Sequence, residues 1–330
     1  MLGPAISLLE SARTVTVLCH VHPDADTIGS GLALAMVLNR RGASVQVSFA
    51  VPTELPESMD MLPGRDLLVP APAVRSDADL VVTVDAGSRG RLGSLADRLD
   101  FADATLVVDH HRSNTRFGTL NVVDESAEST TAVITRLLDA WGVDIDADIA
   151  HCLFAGLVTD TGSFRWVRPG SHLLAERLLA TGIDGAAIAR KLLDNHPFGW
   201  LPMLGSVLGG ATLVREAAGG RGLVYASILR DDSAGLRSEE IESVIDIVRT
   251  TSEAEVAAVL KQQEGDEWTV SLRSKTEIDV SAVASVLGGG GHRNAAGFTA
   301  HGTKDDVVAS LTDALALQTN VLASPTDALA

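Results

Sequence analysis

Acidic and imidazole side chains follow several predicted strands and one predicted helix. His20 ends a predicted strand at 14–20, and Asp24 and Asp26 follow it. Asp85 ends a strand at 78–85, and a strand at 104–111 ends in Asp109, His110 and His111. Asp160 follows a predicted helix at 146–158. Open α/β sheets bind ligands at the carboxyl ends of their strands, so these elements could deliver their side chains to one edge. Clustered carboxylates repel each other, and a pair of divalent cations would supply the missing counter-charge. Mixed Asp and His ligands suit Mn²⁺ and its transition-metal neighbours better than Ca²⁺ or Mg²⁺. The pattern therefore predicts a two-metal centre suited to displacement at phosphorus.

Each of these residues also has an ordinary structural explanation. Asp24 and Asp26 could cap the helix that begins near Thr27, because aspartate is a common N-cap. The pair His110 and His111 could be a strand end without a role, and a single Asp85 or Asp160 would more often be a turn residue. Their joint placement favours the metal centre.

A second candidate site is the run of four glycines at 288–291, which His292 and Arg293 follow. Glycine backbone amides can approach a phosphate closely because no side chain stands in the way. Arg273 ends a predicted strand and could pair with a terminal phosphate through two hydrogen bonds. Arg273, Gly290, Gly291, His292 and Arg293 are therefore candidates for phosphate binding. The alternatives are a flexible glycine turn and a solvated arginine.

The elements that must position these residues form an α/β pattern. Short apolar strands alternate with helices in the first part of the chain, which predicts a parallel sheet covered on both faces. Hairpin-like strands follow at 211–216, 222–229, 254–263 and 267–274, with helices at about 238–248, 279–287 and 304–318. We predict a parallel-sheet domain over 1–194, a linker over 195–210 that contains two prolines, and a smaller α/β domain over 211–330.

Composition limits the partners of this 330-residue chain. Its formal net charge is −17, whereas binding to long nucleic acid needs a basic surface. Any nucleotide substrate should therefore be short, and long duplexes are excluded. No apolar run approaches the roughly 18 residues that cross a bilayer, and the first residues do not resemble a signal peptide. We expect a cytoplasmic protein without membrane contact, in which the only two cysteines, Cys19 and Cys152, are reduced core thiols.

Five motifs, in order along nearly the whole chain, resemble those of the DHH phosphoesterase family. Four of them are His20-Val-His-Pro-Asp-Ala-Asp26, Asp85, Asp109-His-His111 and Asp160-Thr-Gly-Ser-Phe164. The fifth, Gly288 to Gly297, resembles the glycine-rich signature of the DHH-associated C-terminal domain. Size and layout are most similar to the nanoRNase/pAp-phosphatase branch, which includes enzymes acting on cyclic di-AMP and pApA.

The resemblance implies a role for each residue of the first site. His20 and Asp24 would bind one Mn²⁺, and Asp26, His110 and Asp160 the other, with Asp85 bridging the two ions. Asp109 would orient a ligand, and His111 would lie near the substrate phosphate. The second domain would hold the far phosphate of the nucleotide, and the resemblance places Arg273 and His292, beside the glycine run, among the substrate-binding residues. The enzyme would be a homodimer.

The implied activity is hydrolysis of short nucleotides by water that two metals activate. Candidate substrates are oligoribonucleotides of a few residues, pApA, cyclic di-AMP and 3′-phosphoadenosine 5′-phosphate. One alternative is a family II-like inorganic pyrophosphatase, although we do not find the basic C-terminal motif of that family. The other is a nucleotide-sensing protein without turnover.

Near Asp160, Trp166 could stack a base, but we favour a role in the core.

Overall fold

The computed structural model describes residues 2–323, with side chains for residues 2–318 except His292. The chain divides into two compact units, residues 1–195 and 196–330. The segment predicted as a linker differs from that expectation, because Trp200–Gly209 forms a helix. Met203 and Val207 of this helix are buried in a core of the second unit, which explains why the segment is ordered.

The first unit is built on a five-stranded parallel sheet with the order β2-β1-β3-β4-β5. Its strands are β1 (Thr14–Leu18), β2 (Ser44–Ser48), β3 (Leu80–Val84), β4 (Ala104–Asp109) and β5 (Leu120–Val123). Its helices are α1 (Leu2–Ser11), α2 (Ala25–Arg40), α3 (Thr130–Ala140), α4 (Ala147–Asp160), α5 (Ser171–Leu179) and α6 (Gly185–Leu193), with short 3-10 segments between β2 and β4. Every residue of β3 is buried, as expected for the middle of a parallel sheet.

Helices α2 and α4 pack closely because glycines line their contact. A Cβ atom at Gly29 of α2 would lie 2.3 Å from the carbonyl oxygen of Cys152 in α4. Only glycine allows this approach, and it brings the N-terminal end of α2 beside α4. Cys19 and Cys152 are buried free thiols, as predicted.

The second unit contains a six-stranded mixed sheet with the order β10-β11-β9-β8-β7-β6. Its strands are β6 (Thr212–Val214), β7 (Leu223–Ile228), β8 (Val256–Gln262), β9 (Glu267–Ser274), β10 (Gly290–His292) and β11 (Ala295–His301). Its helices are α7 (Trp200–Gly209), α8 (Ala217–Gly220), α9 (Ser238–Val248), α10 (Val280–Val286) and α11 (Lys304–Ala323). One apolar core packs α10 and α11 on the sheet, and another packs α7 and α9.

The predicted fold class is confirmed, whereas several elements were missed. Helix α1, helix α7 and strand β5 have no counterpart in the sequence interpretation, and the glycine run continues into the hairpin β10–β11 rather than a flexible turn. Between residues 2 and 323, no helix is both long and apolar enough to span a bilayer.

Candidate metal centre

The predicted ligands lie at the carboxyl ends of three neighbouring strands and at two helix ends. His20 follows β1, Asp85 follows β3, and Asp109, His110 and His111 end or follow β4. Asp24 is the N-cap of α2 and accepts hydrogen bonds from the backbone amides of Asp26 and Thr27, so the capping explanation also holds for Asp24. Asp160 is the last residue of α4. Parallel pairing of β1, β3 and β4 therefore gathers residues that are far apart in sequence.

His20, Asp24 and Asp85 form the first of three groups that could hold a cation. The Nε2 atom of His20 lies 3.5 Å from Asp24 Oδ2 and 3.4 Å from Asp85 Oδ2. Its Nδ1 atom lies 2.9 Å from the carbonyl oxygen of Val21, which accepts Nδ1–H when the ring carries it. That hydrogen bond leaves the Nε2 lone pair available to a metal. Arg91 Nη2 also lies 3.2 Å from this Nδ1 atom.

Asp26, His110 and Asp160 form the second group. His110 Nε2 lies 3.2 Å from Asp160 Oδ2 and 3.6 Å from Asp85 Oδ1, while its Nδ1 atom is 3.3 Å from the carbonyl of Ala127. The two oxygens of Asp85 thus face different histidines, His20 and His110. This is the arrangement that a carboxylate bridging two cations requires.

The N-terminus of α3 holds two of the carboxylates. The backbone amides of Thr130 and Thr131 donate to Asp26 at 2.6 and 2.9 Å, and the Thr130 hydroxyl donates to Asp85 Oδ1 at 2.8 Å. Gly156 of α4 makes room for Asp26, because a Cβ there would lie 2.5 Å from Asp26 Oδ1. Sequence reasoning missed these residues. The N-cap Ser129 before Thr130 was the available signal for a helix terminus near acidic groups.

Asp109 and His111 form a separate pair beside the two groups. His111 Nδ1 lies 2.7 Å from Asp109 Oδ1 and 3.5 Å from Asp85 Oδ1, which puts His111 in a third possible ligand group with Asp85 and His110. Asp109 is fully buried and also accepts hydrogen bonds from the His110 amide and, at 2.5 Å, from Asn114 Nδ2. These bonds fix the carboxylate that orients His111.

The electrostatics of the centre favour added positive charge. Burial, followed by the carboxylates of Asp160 and Asp85, raises the pKa of Asp26 well above its usual range. Burial also raises the pKa of Asp160 to about 6, against the opposing effect of His110. Buried carboxylates that resist ionisation together are a suitable cage for divalent cations.

The histidines respond in the opposite direction. Burial alone would lower their pKa values, but the neighbouring carboxylates outweigh it and raise the pKa of His20 to about 10 and that of His110 to about 11. A proton and a metal ion compete for the same imidazole lone pair. A bound cation would therefore balance the negative charge of the carboxylates in place of the proton, which would be released. Nitrogen and oxygen donors without a thiolate fit Mn²⁺ or a related metal.

The second unit contains the other predicted site residues. Arg273 in β9 donates from Nη1 to the carbonyl of Leu272 at 3.0 Å. Burial lowers the pKa of Arg273, and the carboxylates of Asp246 and Glu242 partly oppose that change. The guanidinium nevertheless stays charged, because its ordinary pKa is so high. The side chain is therefore a partly buried cation of the kind that binds phosphate.

The glycine-rich segment has a structural explanation as well as a functional one. A Cβ at Gly291, whose φ is +145°, would lie 2.5 Å from the carbonyl oxygen of Ala295, so the hairpin itself requires glycine there. At Gly290 a Cβ meets no described atom within 4 Å. Arg293 donates to the carbonyl of Glu277 and lies 3.7 Å from Asp279. The side chain of His292 lies outside the described part of the structure.

Trp166 does not have the core role that we favoured. Half of its surface is exposed, whereas Trp141 and Trp268 are buried. The sequence signal for its position was a tryptophan between two arginines, Arg165 and Arg168, shortly after Asp160.

Comparisons with known proteins agree with the motifs. Residues 14–157 match the DHH family, N-terminal domain, and residues 220–319 match the DHHA1 domain. The chain therefore contains a DHH-family N-terminal domain followed by a DHHA1 domain, and its relatives support hydrolysis of phosphoesters.

Among curated relatives, the chain is 29% identical over 290 residues to the bifunctional oligoribonuclease and PAP phosphatase NrnA of Thermus thermophilus, covering 87% of this chain and 84% of the relative. It is 24% identical to the cyclic-di-AMP phosphodiesterase GdpP of Bacillus subtilis over 86% of this chain and 44% of that protein. A solved exopolyphosphatase-related protein from Bacteroides fragilis has a TM-score of 0.87 at 23% identity, covering 98% of this chain and 97% of the other. At this identity the likeness supports the fold.

Proposed function

We propose that the chain is a Mn²⁺-dependent phosphoesterase of short nucleotides, with two ions per chain. Its substrates would be oligoribonucleotides of a few residues, pApA or cyclic di-AMP, and 3′-phosphoadenosine 5′-phosphate. The observation that carries the proposal is the position of Asp85, whose two carboxylate oxygens face His20 and His110 at 3.4 and 3.6 Å. One shared carboxylate between two Asp/His groups is the donor arrangement of a two-metal hydrolase.

Each group would hold one cation. His20 and Asp24 would bind the first ion, Asp26, His110 and Asp160 the second, and Asp85 both. When bound, such a pair lowers the pKa of a water molecule and neutralises charge that develops at phosphorus. The protein fixes the donors beforehand through Thr130, Thr131 and the carbonyls of Val21 and Ala127.

His111 would contact the substrate phosphate, with Asp109 as its positioning residue. Burial opposes protonation of His111, but Asp109 and Asp85 raise its pKa. A protonated imidazole can donate a hydrogen bond to a phosphate oxygen or a proton to the leaving oxygen. The contact between Nδ1 and Asp109 directs the Nε2 atom of His111 away from that carboxylate.

The choice of short substrates rests on charge. A chain with a net charge of −17 lacks the basic surface that long strands need, and the two relatives named above carry names that refer to oligoribonucleotides, PAP and cyclic di-AMP. Arg273, Gly290, Gly291, His292 and Arg293 would bind the phosphate that is not cleaved. A cytoplasmic location and a homodimer are further predictions from the family resemblance.

The decisive experiment is a substrate panel with and without Mn²⁺. It contains 5′-phosphorylated RNA from two to about 24 nucleotides, cyclic di-AMP, 3′-phosphoadenosine 5′-phosphate and inorganic pyrophosphate, at one fixed salt concentration. We expect efficient hydrolysis of dinucleotides to about pentanucleotides and a steep loss beyond them. Degradation of the 24-mer as fast as the dinucleotide would contradict the short-substrate claim. Hydrolysis of pyrophosphate alone would identify the chain as an inorganic pyrophosphatase.

A further inference from the structure

The residues after the metal ligand Asp160 form a left-handed turn. Gly162, Ser163 and Phe164 have φ values of +54°, +58° and +63° in succession. For residues other than glycine this conformation costs about 1–2 kcal/mol each, so isolated cases are uncommon and runs are rare. The turn keeps its shape because other groups hold it.

Backbone and hydroxyl hydrogen bonds provide that support. The amide of Ser163 donates to the carbonyl of Val158 at 2.8 Å, and the amide of Phe164 donates to the Thr161 hydroxyl at 3.1 Å. The amide of Trp166 donates to the carbonyl of Thr161 at 3.0 Å. The backbone of Trp166 is thereby tied to the residue that follows Asp160.

Phe164, rather than Trp166, anchors the turn in the apolar core. Its ring lies 6.3 Å from that of Phe154 and stacks on His172 at 5.5 Å, and it is only partly exposed. Trp166 has half of its surface exposed although it is the largest side chain of the turn. The Trp166 ring therefore presents a large aromatic surface to solvent.

The indole is held in place despite its exposure. A Cβ at Gly162 would lie 2.0 Å from the Trp166 ring, so the ring rests directly against that glycine. The Arg165 guanidinium lies 5.3 Å from the ring centroid, and its Nε donates to the Gly162 carbonyl at 2.6 Å. An aromatic surface and a cation thus stand together beside a predicted metal ligand.

We propose that Trp166 and Arg165 form a platform for one nucleotide of the substrate, with the base stacked on the indole and a phosphate oxygen facing the guanidinium. Every nucleobase has a π face, so this platform accepts purines and pyrimidines alike. It would select nucleotides over phosphate esters without a base. The inference rests on the proposed function, because it places the base next to the scissile phosphate.

The test compares intact pApA with two analogues that each lack one base. The variants are Trp166→Ala, Trp166→Phe and, as a matched exposed aromatic of the same unit, Phe101→Ala. We expect Trp166→Ala to raise the KM for pApA about 5–150-fold, the range that stacking of one base supports, with kcat nearly unchanged. The KM for one abasic analogue should not respond to the substitution. Trp166→Phe should retain most of the affinity, and Phe101→Ala should behave like wild type.

The outcomes separate the platform from the proposed function. The platform is overturned if Trp166→Ala raises the KM equally for pApA and both abasic analogues, or does not raise it at all. Hydrolysis of pApA by the wild type would still uphold the proposed function in that case. A wild-type protein that hydrolyses neither pApA nor its analogues overturns both. If Trp166→Ala fails to fold, indole fluorescence provides a second test. Adenosine monophosphate should quench the fluorescence of the wild type more strongly than that of Trp166→Phe, and equal quenching overturns the platform.

Discussion

The candidate metal centre of the first unit and the candidate phosphate site of the second, around Arg273 and the glycine-rich segment, are proposed to bind opposite charges. In the candidate metal centre, His20, Asp26 and Asp85 are buried, and the amides of Thr130 and Thr131 hold Asp26 by hydrogen bonds from another element. In the second unit, Arg273 lies in β9 opposite Ala295 of β11, the strand that pairs with the glycine-rich β10, and its guanidinium stays charged although it is partly buried. In our proposal the first region binds cations and carries out bond cleavage, and the second binds an anion.

This difference predicts how each region should fail when it is changed. Groups that act only in the transition state affect kcat, whereas contacts that are equal in the ground and transition states affect KM alone. Changes in the metal centre should therefore lower kcat, and changes near Arg273 should raise KM. Loss of the metal should have the largest effect, and the addition of one methyl group near the proposed phosphate the smallest.

Removal of metal should abolish activity completely. Without a cation, the carboxylates of the centre repel one another, and no other group described in the site could activate water to the same degree. We expect no turnover of pApA after exhaustive chelation and dialysis, and recovery with Mn²⁺ measured by product release. Full activity of metal-stripped protein in EDTA would falsify the two-metal proposal.

Replacement of the bridging carboxylate should be more damaging than replacement of its neighbour. In the proposed centre Asp85→Ala would remove a ligand of both ions, whereas Asp109→Ala would remove only the group that orients His111. We expect Asp109→Ala to lower kcat about 10–100-fold, as is typical of residues that orient ligands, and Asp85→Ala to lower it further. Circular dichroism establishes that both variants fold. A larger loss for Asp109→Ala would exchange the two roles.

Much of the metal centre could be predicted because parallel strands impose their own geometry. Carboxyl ends of neighbouring strands must meet at one edge, so the positions of Asp85 and His110 at strand ends were enough to place them together. The structure brings all six predicted ligands into the possible cation groups. Whether they bind metal remains a prediction.

The supporting residues could not be predicted in the same way. Thr130 and Gly156 act through contacts with Asp26 that depend on how α3 and α4 pack, and no local pattern encodes that packing. Arg91 reaches His20 from a 3-10 segment that has no strong sequence signature. Sequence reasoning therefore found groups at element ends and missed groups that tertiary packing brings near.

In the second unit, local chemistry was informative but incomplete. Four glycines indicated an unusual backbone, yet they could not reveal that Gly291 is needed for the close approach of β10 and β11. Strand β11 itself was missed, although it pairs with β9 and places Ala295 beside Arg273. The pairing depends on contacts far apart in sequence.

Arg273→Ala should raise KM with little change in kcat. A hydrogen bond to a charged group contributes about 1.5–3 kcal/mol, which corresponds to a rise in KM of about 10–100-fold. Arg221→Ala is a matched control, because Arg221 pairs with Glu277 at the surface of the same unit. Steady-state kinetics with pApA gives both constants. A fall in kcat at unchanged KM would move Arg273 from substrate binding to the chemical step and remove the contrast between the regions.

Gly290→Ala provides the smallest and most selective test of the contrast. A Cβ at this position meets no described atom within 4 Å, so the fold should tolerate alanine with equal or slightly higher stability. A bound phosphate would meet the added methyl group if it approaches the Gly290 backbone closely. We expect KM to rise about 2–10-fold, the equivalent of one neutral hydrogen bond, with kcat unchanged and thermal stability equal or slightly higher. Gly205→Ala in α7 is the control, because its Cβ also points into open space. An unchanged KM in a folded Gly290→Ala variant would mean that this glycine serves the hairpin alone, and Arg273 would then carry the anion site without it.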